Sequence, residues 1–219
     1  MKDNLPLSFS NFVGLKRVKQ VLKHPSSSKG SFLFFGSIGC GKTDVARTHG
    51  AVLNCKNPDT IDWGSCGKCV SCRGQQWLHH FNCRSRSIQL LVEVIQRAYT
   101  FSPTHKVTCV VFDEVHLLSE SDQEAMNKLL DPNAIPSHCL LIFTTHKRSK
   151  VSMSFSSRFI GLEFEPPTDP EMKTLASRIV RREGHDLSER QISAVIAKAN
   201  GIPRLLLHAI EEEVRFSRG

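Results

Sequence analysis

Three groups of residues have types and spacings suited to chemistry. The first is Gly36-Ser37-Ile38-Gly39-Cys40-Gly41-Lys42-Thr43, in which Gly36 is followed after four residues by Gly-Lys-Thr. Glycines at these points let a backbone turn its N–H groups inward around a polyphosphate. Lys42 is then placed to reach the β- and γ-phosphates, and Thr43 to ligate Mg²⁺. The second group is Asp113-Glu114, directly after the apolar run Val107-Thr108-Cys109-Val110-Val111-Phe112. Phosphoryl hydrolysis needs such a pair, Asp113 to hold a hydrated Mg²⁺ and Glu114 to orient or deprotonate the attacking water. The bland alternative is two surface carboxylates at a strand end, which the phosphate loop makes the lesser reading, since metal and loop must share one site. The third group is Cys55, Cys66, Cys69 and Cys72. Four soft ligands in a short glycine-containing segment can share one tetrahedral Zn²⁺ in a closed, structural site. Unligated thiols are the bland alternative, and an iron–sulfur run would want a further cysteine near Gln76.

These residues must be positioned by elements. Ser31-Phe32-Leu33-Phe34-Phe35 reads as a strand feeding the loop, and Val45, Ala46, Val52 and Leu53 as a helix whose amino end faces the phosphates. Leu90, Leu91, Val94, Ile95 and Ala98 form a helical stripe, with Pro103 leading into the strand that ends at Asp113. Ser121 with Glu124 has capping-box spacing for the next helix, which Pro132 stops; Cys139–Phe143 is another buried strand, ending in Thr144-Thr145. Val18, Val21 and Leu22 predict a short basic helix after the turn-rich lead-in from Leu5 and Pro6 to Gly14. Alternation of this kind predicts an α/β fold, a parallel sheet flanked by helices, with ligands at the carboxyl ends of strands. Residues 55–72 read as an insertion in it. His79, His80 and Cys83 could replace a ligand of the cysteine cluster but read better as a strand start or exposed polar turn, and Cys40, Cys109 and Cys139 read as packing residues. After Glu165-Pro166-Pro167 the pattern is purely helical: one helix with Asp169 as cap and Pro170 first, a second from Ser188 with Gln191, a third from near Pro203. The expected division is 1–165 for the nucleotide-binding domain and 166–219 for a helical domain.

Together these motifs resemble the AAA+ ATPases of the bacterial clamp-loader type, the gamma/tau subunits of DNA polymerase III. The carriers of the resemblance are Phe112-Asp113-Glu114-Val115-His116-Leu117-Leu118-Ser119, Ile142-Phe143-Thr144-Thr145, Ser157-Arg158-Phe159 and Gly201-Ile202-Pro203-Arg204. The match departs at Ser37 and Ile38, at Leu15 and at Phe159. The resemblance implies an AAA+ P-loop core with a zinc-module insertion and a small C-terminal helical lid. It implies Thr145 and Arg204 as sensors of the γ-phosphate and Arg158 as an arginine finger acting on ATP held by a neighbouring subunit. ATP, Mg²⁺ and Zn²⁺ are the implied cofactors. The implied function is an ATPase subunit of a polymerase III-type holoenzyme that helps load a sliding clamp onto primer–template DNA. The alternatives are a non-catalytic nucleotide-binding or zinc scaffold in such an assembly, or another AAA+ remodeller such as a helicase loader. Its expected partners are other loader subunits, in homo- or hetero-oligomers, the sliding clamp and DNA. The family's third, collar domain has no counterpart in these 219 residues.

Composition agrees with these expectations. A formal charge of +8 favours an anionic partner, and the clusters Lys16, Arg17, Lys19, Lys23; Lys147, Arg148, Lys150; and Arg178, Arg181, Arg182 are candidate phosphate contacts without base reading. Eight cysteines without the apolar core of a signal peptide fit thiols or metal ligands better than disulfides, and a cytoplasmic location away from membranes is expected.

Overall fold

Three strands are apolar on both faces, and they form the middle of the sheet: β1 (Gly30–Gly36), β3 (Thr108–Asp113) and β4 (Cys139–Thr145), the last buried at every residue. The edges are β2 (Leu78–Asn82) and β5 (Ile160–Phe164). In the computed structural model, residues 7–100, 105–131 and 133–216 are described. Leu5 and Pro6 of the expected lead-in, Pro103, and the expected helix stop Pro132 lie outside these residues. Among the described residues the strands form one sheet in the order β2-β3-β4-β1-β5, all pairs parallel. Of the edges, β2 was anticipated only as a strand start or polar turn at His79 and His80, and β5 escaped the sequence reading, because neither is an apolar run. In β5 only Leu162 and Phe164 are buried, since one face is covered.

Successive side chains point to opposite faces of a strand, so the sheet builds two cores. Phe32, Phe34, Cys109, Val111, Leu140 and Ile142 face α1 (Lys16–Lys23) and α2 (Lys42–Asn54). Against α2 a short helix, α3 (Val70–Gly74), closes the cysteine-rich segment and carries Cys72. Leu33, Val110, Phe112, Leu141 and Phe143 face the other way, toward α4 (Ile88–Ala98), α5 (Glu120–Asn127) and α6 (Met153–Ser156). A third core belongs to the C-terminal helices α7 (Asp169–Arg182), α8 (Glu189–Ala199) and α9 (Pro203–Phe216), with Met172, Ala176, Val195 and Leu206 at its centre.

Two caps differ from the expected ones. Helix α5 is capped by Ser119 in a reciprocal box with Asp122, not by Ser121 with Glu124. The sequence Ser119-Glu120-Ser121-Asp122-Gln123-Glu124 offers both spacings, and the buried 3-10 turn Val115–Leu117 fixes where the chain enters. Helix α7 is capped by Thr168, whose N–H and hydroxyl both donate to Glu171; Asp169 is already its first residue. Helix α8 takes Ser188 and Gln191 as the spacing predicts. No helix among the described residues is long and apolar enough to cross a membrane.

Candidate nucleotide site and cysteine cluster

Gly36–Gly41 forms the loop between the carboxyl end of β1 and the amino end of α2. Gly36 has φ 144°, and a Cβ there would stand 2.3 Å from the Phe164 carbonyl oxygen, so no other residue fits. Gly39, at φ 77°, lies directly under the first turn of α9: its added Cβ would meet Ile202 at 2.8 Å and Arg204 Cβ at 3.0 Å. The Arg204 N–H also donates to the Gly39 carbonyl at 3.3 Å. Ser37 and Ile38 are exposed at the loop's tip, while Cys40 is buried beneath it. The Lys42 ammonium curls back over the loop, donating to the carbonyls of Gly36 at 2.9 Å and Ser37 at 2.7 Å and lying 3.4 Å from Cys40 Sγ.

Next to Lys42, Thr43 donates to both oxygens of Asp113, at 2.9 and 3.1 Å. Asp113 also accepts from Thr144 at 2.6 Å and from His80 Nε2 at 2.6 Å. Burial alone pushes the Asp113 carboxyl up, but the bonds from His80, Thr144 and Thr43 together hold it below its ordinary value. Asp44, one residue along α2, is pushed up by burial against the opposing pull of Arg47 and Arg204. Glu114 leaves β3 with φ 64°, a left-handed conformation that a non-glycine residue holds at a cost of about 1–3 kcal/mol. Its carboxylate lies 3.3 Å from His146 Nδ1 and 3.6 Å from His116 Nε2. Thr145 accepts the Lys147 N–H at 3.0 Å and shares a 3.2 Å hydrogen bond with His116 Nδ1. Burial, then His146, lowers the His116 pKa.

The structure therefore brings Lys42, Thr43, Asp113, Glu114, Thr145 and Arg204 around one loop at the carboxyl edge of the sheet. It does not bring Arg158 there. Arg158 precedes β5, and its carbonyl accepts from the Ser31 hydroxyl at 2.6 Å, at the opposite, amino end of β1. Sequence reasoning missed His80, Thr144 and His146 as neighbours of the acidic pair. His80 enters only because β2 pairs in parallel with β3, bringing Asn82 beside Asp113.

The sulfurs of Cys55, Cys66, Cys69 and Cys72 all lie within 4.8 Å of one another. Cys69 and Cys72 are 3.4 Å apart, Cys66 and Cys72 4.0 Å. A tetrahedron with bonds of about 2.3 Å has edges of about 3.8 Å, so these distances bracket a Zn²⁺ shell. The N–H groups of Lys68 and Cys69 point at Cys66 Sγ and hold its thiol below the ordinary value. The segment is fastened to the chain's start by an antiparallel bridge between Ser8 and Gly64, with Phe9 N–H donating to Trp63 at 3.1 Å.

Of the basic clusters, several members are already engaged. Lys19 donates to the Phe12 carbonyl at 2.6 Å, Lys23 to Ile61 at 2.9 Å, and Arg178 to Ser10. Lys16, Arg17, Lys147, Lys150 and Arg181 are exposed, and Arg148 lies over the Phe35 ring at 5.7 Å.

Residues 32–165 match the model of the ATPase family associated with various cellular activities (AAA). The chain is 25% identical over 97% of its length to DNA polymerase III subunit tau of Bacillus subtilis, of which it covers 38%. It is 27% identical over 94% of its length to subunit gamma/tau of Mycobacterium bovis, covering 37% of that protein. For subunit gamma of Buchnera aphidicola subsp. Schizaphis graminum the figures are 23%, 97% and 60%. The chain thus spans less than two thirds of these relatives. Among solved structures, the Thermotoga maritima RuvB Holliday junction branch migration motor superposes with TM-score 0.67 at 18% identity, over 96% of this chain and 65% of that one. Domain III of the Thermotoga maritima replication initiation protein DnaA gives 0.65 at 16%, over 97% and 89%. At these identities the structural likeness is one of fold.

Proposed function

This chain belongs to the ATPase family associated with various cellular activities, and on that premise we propose that it is an ATP-hydrolysing motor subunit of a clamp loader, acting in DNA replication. One observation carries the hydrolytic part: Thr43 of the phosphate loop and Asp113 of the acidic pair, 70 residues apart in the chain, share hydrogen bonds of 2.9 and 3.1 Å. Loop and acids are one site.

In this reading the N–H groups of Gly36–Thr43 cradle the polyphosphate of ATP, and Lys42 exchanges its carbonyl partners for phosphate oxygens. Thr43 and Asp113 are the residues that hold Mg²⁺, which when bound neutralises charge on the β- and γ-phosphate oxygens. Glu114 orients the attacking water and accepts its proton as the bond to the leaving ADP breaks. Thr145 and Arg204, on either side of the loop, read the γ-phosphate. Arg158, remote from its own loop, serves a neighbouring subunit's nucleotide, so turnover depends on assembly. The four cysteines hold Zn²⁺, and residues 166–219 act as a lid through the Arg204–Gly39 contact. The relatives named as DNA polymerase III subunits support replication as the setting, and the charge of +8 supports DNA as a partner.

The test is ATP hydrolysis with loader subunits, sliding clamp and primer–template DNA added in turn. The wild-type rate should rise with each addition, and Lys42→Ala should lose about 10²–10³-fold, the cost of removing one preorganised donor from an oxyanion hole. A Lys42→Ala protein with the wild-type rate refutes the site; clamp and DNA without effect on an active protein refute the loader role.

A further inference from the structure

The nucleotide site leaves His146 without a role, and gives His116 none beyond its bond to Thr145. Both rings face the carboxylate of Glu114, at 3.3 and 3.6 Å, and meet each other edge to face with centroids 4.2 Å apart. The ligand atoms of all three lie within 4.8 Å of one another. Donors about 2.1 Å from a shared ion stand roughly 3.0–3.4 Å apart, so modest side-chain rotations close this group around one cation. His116 is already oriented for that: its Nδ1 is engaged by Thr145, which leaves Nε2 toward the carboxylate, the arrangement that fixes metal-bound imidazoles. Solvent reaches the group through Glu114 and His146, whose side chains are 33% and 18% exposed, against 3% for His116.

We propose that Glu114, His116 and His146 form a binding site for a borderline transition-metal cation such as Zn²⁺ or Co²⁺, and that filling it withdraws Glu114 from ATP hydrolysis. Two imidazoles and one carboxylate suit such ions, whereas Mg²⁺ prefers an all-oxygen shell and sheds water reluctantly. Three protein donors leave positions for water, so the ion is held reversibly, unlike one enclosed by four thiolates. The binding claim stands independently of the proposed function; the inhibitory claim rests on it.

The experiment starts from protein whose cysteine cluster has been filled with Zn²⁺ and whose loosely held metal has been stripped on a chelating resin. Co²⁺ is titrated in without nucleotide, following the weak visible absorption of nitrogen- and oxygen-ligated cobalt, which is distinct from intense sulfur charge transfer. Wild type should bind one Co²⁺. His146→Ala, and the nearly isosteric Glu114→Gln, should bind at least about tenfold more weakly, the lower end of what losing even an outer partner costs. Equal affinity in wild type and both variants overturns the site. With Mg²⁺ and ATP in excess, the Zn²⁺ concentration that halves turnover should be at least about tenfold lower for wild type than for His146→Ala. Equal inhibition of the two overturns the inhibitory claim. Wild-type protein that never hydrolyses ATP counts against the proposed function instead, and the cobalt titration still decides the site.

Discussion

Asp113 ties three elements together, because it accepts from side chains that come from β2, β4 and α2. Their hydrogen bonds outweigh burial and hold its carboxyl below the ordinary value. A carboxyl whose pKa is depressed on folding adds stability that is fully present above its unfolded value, about 4, and is lost as pH falls from there through the folded value. Chemical denaturation of wild type should therefore show a loss of stability below about pH 4 that Asp113→Asn lacks. Parallel curves for the two proteins over that range would remove the account. The Asp113-Glu114 pair was legible from its place after an apolar run, as was Lys42 from the glycine spacing. His80 and His146 were not, since nothing in Leu78-His79-His80-Phe81-Asn82 or in His146-Lys147 points toward a carboxylate until the strands are laid side by side.

At the scale of elements, Gly50 is the instructive position. In the sequence it weakens the helix that follows the phosphate loop, and replacing it by alanine would add about 0.5–1 kcal/mol of helix stability. In the fold it lets α2 lie close on the sheet: an added Cβ would stand 2.6 Å from Trp77 and 3.1 Å from Cys109 Sγ. Overpacking a core typically costs about 1–3 kcal/mol, which outweighs the helical gain. Gly50→Ala should therefore lower the Tm, by about 2–4 °C for each net kcal/mol in a chain of this size, and a raised Tm would show that Trp77 gives way freely. The C-terminal helices reach the loop and the lead-in: Arg204 of α9 rests on Gly39, and Glu171 of α7 lies 3.1 Å from where a Cβ on Gly14 would be. Helices α7 and α9 thus touch both the lead-in and the loop. The central strands and most helices were readable from apolar period; β5 and the true cap of α5 were not, the first because it is an edge, the second because two overlapping spacings satisfy the same rule.

For the whole molecule, the cysteine segment and the chain's start stabilise each other. Ser8 bridges Gly64, and Ser65 donates to the Leu7 carbonyl at 2.8 Å, so metal at the four sulfurs would order both. Protein purified without added metal should contain about one zinc, as a closed four-thiolate site implies. Chelation should lower the Tm and release hydrogen-exchange protection around residues 7–9 and 55–72, while β3 and β4, buried in cores that contain no cysteine of the cluster, stay protected. Unchanged melting after complete chelation would leave the cluster as unligated thiols. The sequence by itself determined the local features: the phosphate loop, the acidic pair, the cysteine spacing and the alternation of apolar runs, each written within a few neighbouring residues. Only the tertiary structure decided which distant groups meet. Parallel pairing set His80 on Asp113, the left-handed turn at Glu114 aimed its carboxylate between His116 and His146, and the sheet's two ends separated Arg158 from the loop. Those relations depend on register and on long-range packing, which no short stretch of sequence records.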